Sequence, residues 1–595
     1  MITLIVGHRG TGKTALLERI QVYAQEQGQK VITYDLDQEI EKSVGLSVEQ
    51  IFATQGEEIF REVELEILNC LLAELPAEHS AWIALGAGFQ AQLPRSPRVL
   101  WLRRPTDTVG RIFLNRPPLN KKLSPLEDYF SRYQAREGRY REWSDFEYTQ
   151  VEGFNHPSKW EAAILGFIHP EITTGGVVTL LPDYLKNPFA FSTILKRLLS
   201  FKPEKIELRD DLLSESQLMD LVEYLSPHQT LYSLRRNHQP YPDWRQATID
   251  WALELPDTPT FDPQILSRHE RTVDLDKTLA ALPQQSGAIL KLAVEIDDFN
   301  ELRKGHEWWL QDPTRRSFLP RSKDGRWQWY RQLFSRRRPL SFWREGIGSA
   351  SDQPTLADWL RMPTTWSEFA AVLGSPVIHS HTPFEQQDFF AASNMPVIAV
   401  DMAKSEMTLE NLNFLNELGL TAAAVTSPLK EAALDLVQNL SPEAKSLAAV
   451  NTLAWNKKEK SWQGHNTDLE GFKSLIKSID FNPKQAVVWG GGGTRAVMEQ
   501  VLPQTPICSV RAAEVLKTKT QAASLAPQTV IWAVGRKNFK NEFFPPESWQ
   551  PKLVIDLNYS EDSPGREYAL KCRAQYINGE KMFKVQAEAQ RRYWQ

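Results

Sequence analysis

Two glycine-rich turns stand far apart in this chain. The first, GHRGTGKT at 7–14, follows the apolar run ITLIV and precedes ALLERIQVYAQ, the order strand, loop, helix. Its G-x-x-x-x-G-K-T pattern, with Gly7, Gly10 and Gly12, aims backbone N–H groups at phosphates, while Lys13 neutralises charge and Thr14 offers a hydroxyl to Mg²⁺. The second, VVWGGGGTRAV at 487–497, carries Gly490, Gly491, Gly492 and Gly493 between a strand-like and a helix-like run. A dinucleotide pyrophosphate rests on such a helix N-terminus. Between them, Lys291 interrupts the apolar run AILKLAV at 288–294. Taken alone, such a lysine is more often a snorkelling side chain at a strand edge. Read for chemistry, it is an amine of lowered pKa suited to forming a Schiff base with a carbonyl, with His269 of ILSRHER beside it to shuttle protons.

The elements that must position these groups follow from composition and pattern. The chain has 595 residues, which suggests about three to five domains. Hydrophobic residues at 42% and charged residues at 24% are ordinary for a globular chain, and a net charge of −5 gives no reason to expect nucleic acid. No apolar stretch reaches the roughly 18 residues of a membrane span, and MITLIVGHRG reads as a first strand rather than a leader. Three scattered cysteines make neither a disulfide framework nor a cysteine zinc site. A cytoplasmic protein is expected. Short apolar runs alternate with amphipathic stretches, the mark of α/β architecture. Breaks near 153–176 and 360–369 divide the chain into residues 1–172, 173–362 and 363–595.

In the first segment, YDLDQEIEKSVGLS supplies Asp35 and Asp37, GEEIFREVE supplies Arg61, and LGAGF supplies a turn with Gly86 and Gly88. NRPPL supplies Arg116 and AREGRYRE supplies Arg136. In this order the residues resemble shikimate kinase. The resemblance implies a three-layer P-loop fold, ATP and Mg²⁺, with Thr14 and Asp35 holding the metal and Lys13 acting on the phosphates. It gives Asp37 and Gly86 to the substrate hydroxyls, Arg61 and Arg136 to its carboxylate and Arg116 to ATP. Ala87 departs from a third glycine in the family.

In the middle segment, KIELRDD, LYSLRR, ILSRHER and AILKLAV each begin apolar and end polar, as strands do at the mouth of a (β/α) barrel. With SASDQ at 349–353 they resemble type I 3-dehydroquinate dehydratases. That likeness makes Lys291 the imine-forming residue and His269 the general acid and base. It gives substrate binding to Glu207, Arg209, Arg235, Arg326, Ser349 and Gln353. Gln239 stands where the family has an acid, which puts the orientation of His269 in question. The segment is also shorter than the roughly 250 residues of a usual barrel, so helices must be trimmed. The basic, aromatic run RQLFSRRRPLSFWR (331–344) reads better as a loop over an anionic substrate, or a solvated face, than as a nucleic-acid patch.

In the last segment, the second glycine turn is preceded by GSPVIHSHTP, AVTSPLKEA, AAVNTL and GHNTDLEGF and followed by DLNY and NGEKMFKVQAEA. This series resembles shikimate dehydrogenase: a substrate part at about 370–470, a Rossmann part at about 471–570, and a C-terminal helix returning to the first. It implies a pocket of Ser380, Thr382, Thr426, Asn451 and Gln586, a proton-handling pair of Lys430 and Asp468, and Tyr559 near the nicotinamide. Ala424 and the run ICSVRAAE depart from the family. With Arg511 nearby and no acid closing the second strand, NADPH is favoured over NADH.

The three domains in this order resemble the C-terminal part of the fungal pentafunctional shikimate-pathway polypeptide. The implied substrates are 3-dehydroquinate, 3-dehydroshikimate and shikimate; a homodimer is the further partner state allowed for. The competing reading is a quinate-sensing regulator with dead domains, as in fungal repressors of the same domain order. That reading predicts decay of Lys13, His269, Lys291, Lys430 or Asp468, and all five are present.

Overall fold

The computed structural model describes residues 2–595 apart from 77–78, 95–96, 104–124, 151–164, 166–173, 187–190, 192–193, 197, 200, 284–286, 347, 379, 536–542 and 560–562. The chain forms two compact units, one of Met1–Pro105 and Arg132–Thr364 and the other including Thr365–Gln595.

The first unit opens with five strands, β1 (Ile2–Val6), β2 (Val31–Asp35), β3 (Ser80–Ala84), β4 (Arg98–Arg103) and β5 (Phe146–Thr149). They pair in parallel in the order β2-β3-β1-β4-β5. Leu4 and Ile5 of β1 are fully buried and face opposite layers, Leu4 among residues of Leu36–Val44 and Gly56–Glu74, Ile5 against Leu16, Leu17 and Ile20 of Lys13–Glu26. A strand buried on both faces needs a continuous apolar run, which explains Leu4, Ile5 and Val6, while the buried Thr3 hydroxyl accepts from Arg98 Nε at 2.6 Å. Because β1 lies between β3 and β4, the loop after it opens at a topological switch point, where α/β sheets bind ligands.

Eight further strands follow: β6 (Val177–Thr179), β7 (Lys205–Arg209), β8 (Thr230–Leu234), β9 (Thr248–Ala252), β10 (Ile265–Arg268), β11 (Ile289–Leu292), β12 (Arg316–Phe318) and β13 (Phe342–Trp343). All pair in parallel, in chain order from β6 to β12, with β13 on the free side of β6. Val177, Leu231, Ile265 and Phe342, from strands spread right across this sheet, form one apolar cluster with Leu319, which directly follows β12. Residues so far apart in the ladder meet only if the sheet curls into a barrel, and these side chains plug it. Alternate residues such as Val178, Leu208 and Tyr232 point outward to a separate outer core. The expected trimming is visible: β9 runs to β10 with no helix, and β8 to β9 with only the short turn Pro242–Trp244.

The second unit has two sheets. β14 (Phe369–Gly374), β15 (Val397–Asp401), β16 (Leu420–Val425), β17 (Asn439–Leu440), β18 (Thr452–Asn456) and β19 (Ser461–His465) are ordered β15-β14-β16-β18-β19-β17. β20 (Ala486–Gly490), β21 (Ile507–Ser509), β22 (Glu514–Val515), β23 (Thr529–Ala533), β24 (Leu553–Asp556) and β25 (Gln575–Ile577) are ordered β22-β21-β20-β23-β24-β25. All pairs in the latter sheet are parallel except β21–β22. The C-terminal helix Glu580–Trp594 lies along Asp468–Lys477, and Met582 joins Leu469, Phe472 and Leu475 in one core. The fold is therefore the expected multidomain α/β: a P-loop three-layer domain, a barrel and a two-part, Rossmann-like unit.

Candidate active sites

At the end of β1 the chain turns through Gly7, Gly10 and Gly12 at φ 151°, 90° and 89°. A Cβ on Gly7 would lie 2.5 Å from the Leu102 carbonyl oxygen, so only glycine fits this approach of β1 to β4. Lys13 Nζ folds back to donate to the Gly7 and His8 carbonyls at 2.8 and 3.3 Å. Thr14 Oγ1 donates to Asp35 Oδ2 at 2.6 Å, and the Asp37 amide donates to Asp35 Oδ1 at 3.2 Å. The tip of β2 thus stands over the phosphate loop, and a hydroxyl and a carboxylate this close are suited to sharing a hard cation.

Across from the loop, Arg61 pairs with the buried Glu64 at 2.8 Å and with Glu57 at 3.1 Å. A Cβ on Gly86 would meet Glu64 Oε1 at 2.8 Å and Asp37 Oδ1 at 2.9 Å, and one on Gly88 would meet Arg61 NH2 at 2.5 Å. The small-residue turn thus brings Asp37, Arg61 and Glu64 together. Burial, with Asp35 adding to it, raises the Asp37 pKa; burial lifts Glu64 to about 7. Arg136, on the helix Pro125–Trp143, is half-buried, and burial lowers its pKa, helped by the nearby cations Arg132, Arg61 and Arg139. Cations gathered this way favour an anionic ligand. Ala87 leaves the turn intact, its carbonyl accepting from Tyr140 at 2.6 Å. Arg116 lies outside the described residues.

Above the apolar plug the barrel carries a buried polar layer. Ladder partners Thr179–Glu207, Ser233–Asp250 and Ser267–Lys291–Ser317 bring polar side chains from β6 through β12 to one level, each at most 5% exposed. Lys291 Nζ donates to Asp250 Oδ2 at 2.6 Å and stands 3.8 Å from Glu207 Oε1. Burial pulls the Lys291 pKa down against the pull of these carboxylates. Burial pushes Asp250 up, but Lys291, Arg235 and His269 outweigh it and hold it well below the usual carboxylate range. Arg235 lies 3.4 Å from Asp250 and 3.9 Å from Glu207, and its NH1 contacts His269 Nε2. Burial, then Arg235, lowers His269 to about 4.

A cavity of about 250 Å³ opens over this layer. Its lining includes Glu207, Arg209, Arg235, His269, Lys291, Ser349 and Gln353, seven of the eight residues expected here. Arg209 is forked onto Asp211 at 2.9 and 2.6 Å. Gln353 and Ser349 bond each other, and Ser349 reaches Thr179 at 3.1 Å. Arg326 is the correction. Its NH1 donates to the Asp297 carbonyl at 3.0 Å, its guanidinium packs over Trp327, and it does not line the cavity. Arg331, five residues further on, does, with Arg321. Arg331 is 4% exposed, and its buried Nε has no hydrogen-bond partner among the described residues. Asp250, Glu254, Arg321 and Arg331 are the residues that the sequence reading missed; helical spacing within QWYRQL was the available signal for the last. Of RQLFSRRRPLSFWR, Arg331, Ser335, Arg338 and Ser341 are buried, so the run is largely core and not a solvated face.

In the second unit, Lys430 Nζ donates to Asp468 Oδ2 at 2.6 Å. Asp468 Oδ1 accepts from Asn451 Nδ2 at 3.0 Å and from Gln586 Nε2 at 2.6 Å. The Asn451 side chain also bonds Thr467, whose amide donates to it at 2.9 Å. One carboxylate, 2% exposed, thus gathers residues from 430 to 586. Thr426 packs its methyl against Gly374. Ser380 Oγ accepts from the Thr382 amide at 3.3 Å where the helix Thr382–Ala391 begins. Tyr559 packs on Phe583 and His381, with ring centroids 4.6 and 4.9 Å apart.

The second glycine turn leaves β20 at Gly490, where a Cβ would lie 2.7 Å from Val534 Cγ2 and 2.9 Å from the Ala533 carbonyl. Gly492 and Gly493 are exposed, ahead of the helix Arg495–Val501. This cradle suits a pyrophosphate on a helix N-terminus. Beyond β21 the chain turns straight back into antiparallel β22, and Arg511 lies exposed on that turn. A hairpin thus takes the place of the usual crossover to a third parallel strand.

The family model for shikimate kinase matches residues 9–155, and that for the shikimate dehydrogenase substrate binding domain matches residues 372–453. A shikimate dehydrogenase (NADP(+)) of Prochlorococcus marinus (strain MIT 9312) is 34% identical over 143 residues, 24% of this chain and 50% of its own. One of Moorella thermoacetica is 30% identical over 184 residues, 29% of this chain and 61% of its own. The chain spans about half the length of most of the curated relatives it matches. Among solved structures, shikimate dehydrogenase 1 of Peptoclostridium difficile is similar at 22% identity over 38% of this chain and 91% of its own, with a TM-score of 0.33. Shikimate 5-dehydrogenase of Thermus thermophilus, in complex with NADP(H) and shikimate, gives 24%, 38%, 93% and 0.30. The chain thus carries a shikimate kinase domain at residues 9–155 and a shikimate dehydrogenase substrate-binding domain at residues 372–453.

Proposed function

We propose that this chain is a trifunctional enzyme of the shikimate pathway, built like the C-terminal part of the fungal pentafunctional polypeptide. It dehydrates 3-dehydroquinate, reduces the resulting 3-dehydroshikimate, and phosphorylates shikimate. The working segments are residues 1–172, 173–362 and 363–595. In the barrel, Lys291 attacks the substrate ketone and loses water to form an imine. That electron sink acidifies the adjacent C–H, whose proton goes to His269. The enamine then expels the hydroxyl, which leaves as water with the proton from His269, and hydrolysis frees the amine. Arg331, in place of Arg326, takes the substrate carboxylate, with Ser349 and Gln353 closing the mouth.

In the dehydrogenase part, NADPH when bound would supply hydride, and the relatives' name, shikimate dehydrogenase (NADP(+)), supports that cofactor. Lys430 gives the proton to the ring oxygen as the ketone becomes a hydroxyl, and Asp468 holds the ammonium in place. Asn451, Gln586, Ser380, Thr382 and Thr426 bind the substrate, and Tyr559 and Arg511 would hold the nicotinamide and 2′-phosphate ends of the cofactor. In the kinase part, Lys13 and the glycine loop hold the ATP phosphates, with Arg116 on the same nucleotide. Thr14 and Asp35 would hold Mg²⁺, whose charge would offset that on the transferred group. Asp37 accepts the substrate hydroxyl proton, and Arg61 and Arg136 hold the carboxylate.

The observation that carries the proposal is the Lys291 amine, 4% exposed in a polar layer over an apolar plug and within reach of the cavity. A lysine serving packing alone has no reason to be buried there with two carboxylates and an imidazole. Borohydride added with 3-dehydroquinate should fix the ligand's mass on the peptide containing Lys291. Dehydration with no such adduct would refute the imine.

A further inference from the structure

We infer that Glu254 is the positioning residue for His269, filling the role left vacant by Gln239; this rests on the dehydratase reading above. Gln239 is exposed and does not line the cavity, so it cannot orient the imidazole. Glu254 follows β9 and lines the cavity beside His269. Its Oε1 accepts from the His269 amide at 2.6 Å and the Glu270 amide at 2.9 Å, and its Oε2 faces His269 Nδ1 at 3.4 Å.

The tautomer follows from the partners. Arg235 has only donors to offer, so His269 Nε2, which it contacts, is the acceptor. The ring proton therefore sits on Nδ1 and donates to Glu254. The Nε2 lone pair, which accepts from Arg235 here, removes the substrate proton once the guanidinium turns to the substrate. When Nε2 becomes protonated, the Glu254 carboxylate stabilises the imidazolium until the departing hydroxyl takes that proton away.

The test is Glu254→Gln in the full chain, with 3-dehydroquinate deuterated at the carbon that loses its proton. Glutamine keeps an acceptor for the two backbone amides, so the loop stays folded. Borohydride trapping at Lys291 should persist, while kcat falls about 100-fold, KM moves little and the deuterium isotope effect rises. Gln239→Glu should leave turnover within about twofold, since that position lies outside the cavity. Unchanged kcat in Glu254→Gln, or equal loss of trapping and turnover, would overturn the inference while leaving the imine standing. A several-fold gain from Gln239→Glu would also overturn it. Absence of trapping in the unmodified chain would instead remove the dehydratase reading itself.

Discussion

Gly471→Ala puts one methyl group where two helices meet. Gly471 lies on Asp468–Lys477, and its Cβ would stand 2.6 Å from Gln586 Cγ and 2.8 Å from the Met582 carbonyl oxygen of Glu580–Trp594. The carbonyl is backbone, so the C-terminal helix must shift as a body. Overpacking of this kind costs about 1–3 kcal/mol, offset by about 1 kcal/mol of helix propensity gained over glycine. Net destabilisation of the second unit should therefore be about 2 kcal/mol or less. Function should suffer more, because the same shift moves Gln586 away from Asp468, 2.6 Å away in the native packing. A hydrogen bond to a buried charge contributes about 1.5–3 kcal/mol, which is about ten- to a hundred-fold in kcat/KM. NADPH oxidation with 3-dehydroshikimate measures this directly, and Gln586→Ala should match it. Native kinetics in Gly471→Ala, with an unchanged melting transition, would refute the reasoning.

Other expectations concern single reactive groups. Lys13→Ala should reduce phosphorylation of shikimate at least about 100-fold, read as ATP consumption, and spare the other two reactions, read as dehydration of 3-dehydroquinate and as NADPH oxidation. Lys430→Ala should lower kcat for 3-dehydroshikimate reduction by about 10²–10⁴-fold, followed as NADPH absorbance; tight substrate binding with no oxidation in the unmodified chain would favour a sensor. Because burial and Arg235 keep His269 neutral down to about pH 4, dehydration should hold its rate as pH falls from 7 to 5. A base of ordinary histidine pKa would lose most of its activity over that range, and a profile falling near pH 6.5 would show that burial and Arg235 do not hold the imidazole neutral.

What was legible in the sequence is what local spacing encodes. GHRGTGKT lies within one turn, so its glycines, Lys13 and Thr14 could be read without knowing the fold. Lys291 stood out because a charge inside ILKL has no local reason to be there. Its partners were not legible: Asp250 is 41 positions away in the chain and reaches Lys291 only because β9 and β11 flank β10. Glu254 reads as one more acid at the end of a strand until β9 and β10 are set side by side. Arg326 and Arg331 are chemically equivalent candidates, and only the helix Gln328–Leu333 decides which faces the cavity. The β22 hairpin was likewise hidden, since ICSVRAAEV has strand propensity without a marker for direction.

The central claim is that three active domains carry out consecutive steps. It is tested most directly by giving the purified chain 3-dehydroquinate, NADPH, ATP and Mg²⁺ and following the products by mass spectrometry. Shikimate 3-phosphate should form, with one NADPH and one ATP consumed per molecule. Accumulation of 3-dehydroshikimate with no NADPH oxidised, or of untouched 3-dehydroquinate, would contradict it and name the domain that fails.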